Sequence, residues 1–159
     1  MDRMNVTMST DGSCLGNHHP GPQPGGYAAL LRFGNAWYEL AGYNPQTTNN
    51  RMEIMACIEG VKVLNKPCTI TVRTDSQNLI NCISQLEARA KNGWKTKTGA
   101  RVANCDLHQS LFKLKHEGNH EIIYEYVEGH SGDPDNERCD ELAKQAISTK
   151  ERYEARGRN

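Results

Sequence analysis

Two aspartates close segments of strand-forming residues in matching contexts, Thr10-Asp11-Gly12-Ser13 and Thr74-Asp75-Ser76-Gln77. Residues alternate from Met4 to Asp11, and Thr69 to Thr74 is rich in β-branched side chains, so each carboxylate ends a strand. If the two strands are parallel neighbours, the acids stand side by side at the carboxyl ends, where α/β sheets place ligands. Two more acids occupy odd positions. Glu53 shares a helical stripe with Cys57, Gly60 and Leu64, and Asp140 shares one with Ala143 and Ile147, so both project from faces that pack inward. Each acid has a simpler alternative: turn formation for Asp11 and Asp75, a capping box Asn50-x-x-Glu53, and a helix-dipole position for Asp140. Taken together, they describe four converging carboxylates that repel one another unless a cation compensates. Carboxylates without His or Cys partners form a hard-oxygen site, which selects Mg2+, with Mn2+ as a possible substitute. Two such ions about 3.5–4 Å apart can clamp the attacking and leaving oxygens of a phosphodiester displacement, so metal-dependent hydrolysis is the expected chemistry.

The elements that must position these groups are legible along the chain. Met4 to Asp11 is a first strand, and Gly12 through Gly26, rich in Gly and Pro, reads as a loop. Tyr27 to Phe33 and Ala36 to Tyr43 meet at Gly34-Asn35 and complete an antiparallel meander. Thr47-Thr48-Asn49-Asn50 supplies N-caps for a helix carrying Met52, Met55, Ile58 and Val61, which Pro67 ends. Thr69 to Thr74 returns as a strand parallel to the first, and Ser76 caps a helix to about Glu87. Ala88 to Cys105 is expected to mix a short helix with a loop, followed by a helix from Asp106 to His116 and a last strand from Glu121 to Val127. Gly129-His130-Ser131-Gly132 is a loop, and Asp133-Pro134 opens a final helix to Ser148. The predicted fold class is α/β: a five-stranded mixed sheet, three strands antiparallel plus two parallel, flanked by helices. One domain spans 1–149, and the charged tail 150–159 is expected to fray.

Bulk properties narrow the function classes. The 159 residues suit one core. Lys plus Arg and Asp plus Glu both total 19, so any contact with nucleic acid must rest on local charge. No eighteen consecutive residues are apolar, the N-terminal residues read as lacking an export signal, and the six cysteines lack a zinc-type spacing. These features predict a cytoplasmic, monomeric protein with reduced thiols, no membrane association and no obligate protein partner.

Four motifs then converge on one family. From Met8 to Ile147 the chain resembles type 1 ribonuclease H, the bacterial ribonuclease HI type. The resemblance rests on Thr10-Asp11-Gly12-Ser13-Cys14-Leu15-Gly16-Asn17, Thr48-Asn49-Asn50-Arg51-Met52-Glu53, Thr74-Asp75-Ser76-Gln77, and Gly129-His130-Ser131-Gly132 with Asn136-Glu137-Arg138-Cys139-Asp140-Glu141-Leu142-Ala143. It implies a ribonuclease H-like fold and an endonuclease that cuts the RNA strand of RNA–DNA hybrids, leaving 3′-hydroxyl and 5′-phosphate ends. It implies Asp11, Glu53, Asp75 and Asp140 as ligands of two Mg2+ ions, with Asp11 bridging them, and His130 in proton handling or product release. Cys14, Asn17, Asn50 and Gln77 match positions that contact the hybrid around 2′-hydroxyls and bases, and Thr48 matches one that holds a DNA phosphate.

The stretch at 88–105, with Arg89, Trp94, Lys95, Lys97 and Arg101 and no acid, resembles the family's basic protrusion, which grips phosphates of the DNA strand. Two departures stand out. The protrusion has only Trp94, with Gln85, Arg89 and His108 where aromatics are common, which predicts weaker hybrid affinity. The segment Asn17-His18-His19-Pro20-Gly21-Pro22-Gln23-Pro24-Gly25-Gly26 is two residues longer than the usual turn, and His18 and His19 are read as loop insertions rather than ligands. Competing possibilities are a catalytically silent hybrid or double-stranded RNA binding module, and a related nuclease or integrase acting on DNA alone.

Overall fold

A computed structural model describes residues 3–16 and 21–159. Strand β1 (Met4–Cys14) is followed by β2 (Gln23–Phe33) and β3 (Ala36–Thr47), then helix α1 (Asn49–Lys62) and strand β4 (Cys68–Thr74). Helices α2 (Gln77–Lys91) and α3 (Cys105–Glu117), strand β5 (Glu121–Tyr126), helix α4 (Pro134–Thr149) and strand β6 (Tyr153–Arg158) complete the chain. The strands form one mixed sheet in the order β5-β4-β1-β2-β3-β6. The meander β1-β2-β3 is antiparallel, while β4 runs parallel to both β1 and β5. Helices α1, α2 and α3 cover one face and α4 the other.

Burial explains the layering. On one face Met8, Leu31, Leu40 and Ile70 meet Ile54, Ile58, Leu79 and Leu111 of the helices. On the other, Ala28, Leu30 and Ala41 meet Cys139, Leu142, Ala143 and Ala146 of α4, where small residues let the helix lie close to the strands. Helix starts follow their caps: Thr48, Ser76 and Asp133 each accept a hydrogen bond from the backbone three residues on. Thr48 is the cap of α1 and Asn50 lies inside the helix, so the alternative capping box from Asn50 to Glu53 does not form. All six cysteines are free. No helix among the described residues is long and apolar enough to cross a membrane.

Three expectations are corrected. The sheet has six strands rather than five, because the tail expected to fray forms β6 along β3, with Trp37 opposite Gly157 and Ala41 opposite Tyr153. Tyr153 anchors it by donating its hydroxyl to Glu39 Oε1 at 2.6 Å. The loop expected over 12–26 is shorter, since β1 runs on to Cys14 and β2 begins at Gln23. The protrusion has no helix of its own: α2 extends to Lys91, and turns closed by a Lys95–Arg101 bridge lead to α3.

Candidate active site

Asp11 lies within β1 opposite Ala28, so it is not a turn former. The last parallel pair of β1 and β4 is Ser9 with Arg73; continuing that register by two residues brings Asp11 level with Asp75. Glu53 arrives from the first turns of α1, which crosses β1 at Gly12. A Cβ at Gly12 would stand 2.9 Å from the Glu53 Cα, so only glycine admits the helix this close. Asp140 comes from α4, held to β1 by Cys139, whose thiol donates to the Ser9 carbonyl at 3.3 Å.

The charges report the crowding. Burial raises the Asp11 pKa to about 8, reinforced by the Asp75 and Asp140 charges and by a hydrogen bond with Asp140. Burial likewise raises Glu53 to about 7; a hydrogen bond with the Ser76 hydroxyl opposes this and the Asp75 charge adds to it. Asp140 Oδ2 takes Lys144 Nζ at 3.0 Å. Protons and one lysine therefore offset only part of the acids' charge, and among the described residues no three potential ligands already converge on an ion-binding point. The donor set still fits a hard divalent cation: four carboxylates from four elements, with a net negative surplus that such an ion would neutralise.

His130 lies exposed in the loop between β5 and α4, in the left-handed region at φ 57°, with Gly132 at φ 95°. Its neighbour Gly129 sits against Asp75, where a Cβ would run into the carboxylate. On the other flank, Cys14 donates to the Gln23 and Thr47 carbonyls. With Thr48 and Asn49 it lines a cleft of about 280 Å3 at the start of α1. Asn50 and Gln77 are exposed on neighbouring helix starts, joined by Asn78 Nδ2 donating to the Asn50 carbonyl at 3.2 Å. Asn17, His18 and His19 lie outside the described residues. In the protrusion, Lys95 and Lys97 are exposed and Arg89 is half-buried in the last turn of α2. Trp94 is half-buried as well, its ring edge-on to Phe112 at 5.5 Å.

Four contributing residues escaped sequence reading. Ser76 was legible as a cap, not as a partner of Glu53. Lys144 stands four residues after Asp140, a spacing that pairs charges on a helix and was available as a signal. Arg51 reaches from α1 to Asp106 at 2.7 Å and to Asn104 at 3.3 Å, bracing the base of the protrusion. Arg73 is a charge in an otherwise β-branched strand, and that anomaly marks it.

Comparison with known proteins follows the same lines. The RNase H family model matches residues 3–148. The chain is 48% identical over 143 residues to the ribonuclease H of Hydrogenovibrio crunogenus, covering 89% of this chain and 94% of that one. It is 46% identical over 153 residues to the ribonuclease H of Aeromonas hydrophila, covering 96% of each. The crystal structure of LC9-RNase H1, a type 1 RNase H with the type 2 active-site motif, superposes with a TM-score of 0.85 at 26% identity, covering all of this chain and 79% of that one. LC11-RNase H1, crystallised in complex with RNA/DNA hybrid, shares the fold with a TM-score of 0.69 at 22% identity, over 91% of this chain and 97% of that one. With a family match across nearly the whole length and relatives approaching half identity, the chain belongs to the RNase H family of hydrolytic nucleases.

Proposed function

We propose that this protein is an endonuclease that hydrolyses the RNA strand of RNA–DNA hybrids, leaving 3′-hydroxyl and 5′-phosphate ends, and that it acts as a cytoplasmic monomer with Mg2+. The observation that carries the reading is the crowding of Asp11, Asp75 and Asp140 from three separate elements at the carboxyl ends of parallel strands, with Glu53 beside them. Asp11, Glu53, Asp75 and Asp140 would hold two Mg2+ ions, or Mn2+ in their place. When bound, the metal supplies Lewis-acid polarisation of the scissile phosphate and neutralises developing charge. Ser76 keeps Glu53 oriented, and Lys144 holds the Asp140 carboxylate from one turn further along α4. Cys14, Asn50 and Gln77 would contact the hybrid, a task that the family resemblance also gives to Asn17. Contacts to the 2′-hydroxyl distinguish RNA from DNA. Thr48, beside the free amides of α1, receives a phosphate of the DNA strand. Arg89, Lys95 and Lys97 neutralise further phosphates, Trp94 contacts the hybrid from the same protrusion, and His130 serves in proton handling or product release.

The test is an end-labelled hybrid incubated with Mg2+ or chelator. Internal cleavage of the RNA strand alone, lost in chelator and in Asp11→Asn while that variant still binds the hybrid, is the expected result. Tight binding without cleavage by the unaltered protein, or cutting of duplex DNA, would overturn the proposal.

A further inference from the structure

The loop carrying His130 is fastened by a residue outside the carboxylate cluster. Arg73 lies on β4 two residues before Asp75, and its guanidinium meets both stems of that loop. Nε stands 3.3 Å from Glu125 Oε2 on β5. Nη2 is 2.6 Å from Asp133 Oδ2 and Nη1 is 3.4 Å from Oδ1, a forked contact at the start of α4. Asp133 does a second job there, its Oδ1 accepting the Asn136 amide at 2.9 Å as the helix cap. The Arg73 and Asp133 side chains are only 22% and 19% exposed, so this pair is sheltered from the screening that weakens surface ion pairs. The Arg73 charge holds the Asp133 carboxyl below its usual range.

Between the stems the chain has little else to fix it. Val127 donates to the Thr74 carbonyl at 2.9 Å, and Ser131 closes a local turn onto Glu128 at 2.6 Å. His130 nevertheless holds a left-handed backbone, which for a non-glycine residue persists only where the flanks define it. Gly129 lies on Asp75 itself, so a shift of the loop changes both where the imidazole points and what touches that carboxylate.

We propose that Arg73 is a positioning residue: by bridging Glu125 and Asp133 it fixes the His130 loop over Asp75 and sets where the imidazole meets the substrate. The proposal rests on the role given to His130 above. Misplacing a reacting group by about an ångström can slow a reaction up to about a hundredfold, so loosening the loop registers in turnover before it registers in binding.

Arg73→Gln and Asp133→Asn both remove the ion pair, and asparagine retains the cap of α4. Amide exchange over 128–132 and steady-state cleavage of a labelled hybrid are measured for each variant and for the double variant. Loop exchange is expected to accelerate about tenfold. kcat is expected to fall about 3- to 10-fold, with KM and the Mg2+-induced shift in Tm unchanged. The double variant should lose no more than either single one, and Arg73→Lys should recover part of the loss. Unchanged exchange, additive losses in the double variant, or a raised KM at constant kcat would refute the role. His130→Ala separates the two layers. If it lowers kcat while Arg73→Gln and Asp133→Asn do not, the clamp fails alone; if it leaves kcat intact, the His130 reading falls and takes this role with it.

Discussion

Replacing Asp11 by asparagine should stabilise the metal-free protein at alkaline pH. The Asp11 pKa lies at about 8 because the carboxyl is buried beside Asp75 and Asp140, whereas in the unfolded chain it returns to about 4. The folded state therefore holds a proton that the unfolded state has released. Stability is whole below about pH 4 and drains as pH climbs towards 8, at up to about 1.4 kcal/mol per pH unit for one group. A lone group would lose about 5 kcal/mol over that span. Asp11 interacts strongly with its acidic neighbours, and its side chain keeps some contact with water, so about 2–3 kcal/mol is the working figure. Asparagine resembles the protonated acid in shape and cannot ionise. Asp11→Asn should then match the unaltered protein at about pH 4 and exceed it by about 2 kcal/mol at pH 8.

Urea unfolding in chelator at the two pH values measures both quantities, and comparing variants cancels the titration of groups remote from Asp11. Millimolar Mg2+ added at pH 8 should raise the stability of the unaltered protein through binding to the folded state, and that of Asp11→Asn far less. Parallel pH profiles for the two proteins, or a variant less stable at pH 8, would refute the assigned burial and repulsion. Equal stabilisation of both by Mg2+ would remove Asp11 from the ligand set.

Two further outcomes are expected. Gly12→Ala sets a Cβ against the Met52–Glu53 backbone, so it should cost about 1–3 kcal/mol in thermal unfolding and more than about tenfold in hybrid cleavage; normal activity would contradict the close approach of α1. Deleting residues 150–159 removes the ladder of β6 and the Tyr153 hydroxyl on Glu39, which should cost about 2–4 kcal/mol. It should spare cleavage at low temperature, because β6 lies three strands from β1.

The sequence carried those parts of the fold whose signals are local. Alternation marked the strands, Thr48, Ser76 and Asp133 marked the helix starts, and the inward stripes of α1 and α4 marked Glu53 and Asp140 as acids out of place. What escaped was pairing over distance. In β6 the inward residues are Tyr153, Ala155 and Gly157, two of them small, set among charges that read as a solvated tail; only the pairing with β3, more than a hundred residues away, makes it a strand. Trp94 reads as the one tryptophan of a basic stretch, and its half-burial follows from Phe112 on α3, which nothing near it in sequence names. Arg73 and Asp133 are sixty residues apart, and nothing near either names the other.

The same long-range pairs explain how the fold tolerates its own carboxylate cluster. Repulsion among Asp11, Asp75 and Asp140 favours withdrawal of α4, the one acid-bearing element that is not part of the sheet or directly joined to one of its strands at the site. Three guanidinium–carboxylate pairs oppose this, all on the stretch just before Asp140. Asp133 is held by Arg73 of β4, Asp135 by both arms of Arg32 of β2, and Arg138 by Glu39 of β3. Glu39 is only 6% exposed and also takes the Tyr153 hydroxyl, so its charge is well paired and its pKa is lowered, chiefly by Arg138. Breaking such a pair leaves a half-buried charge without a partner, which makes helix withdrawal costlier than protonating a carboxyl. The strain at the site accordingly appears as raised proton affinity at Asp11 and Glu53, the form that a divalent cation can reverse without moving the helix.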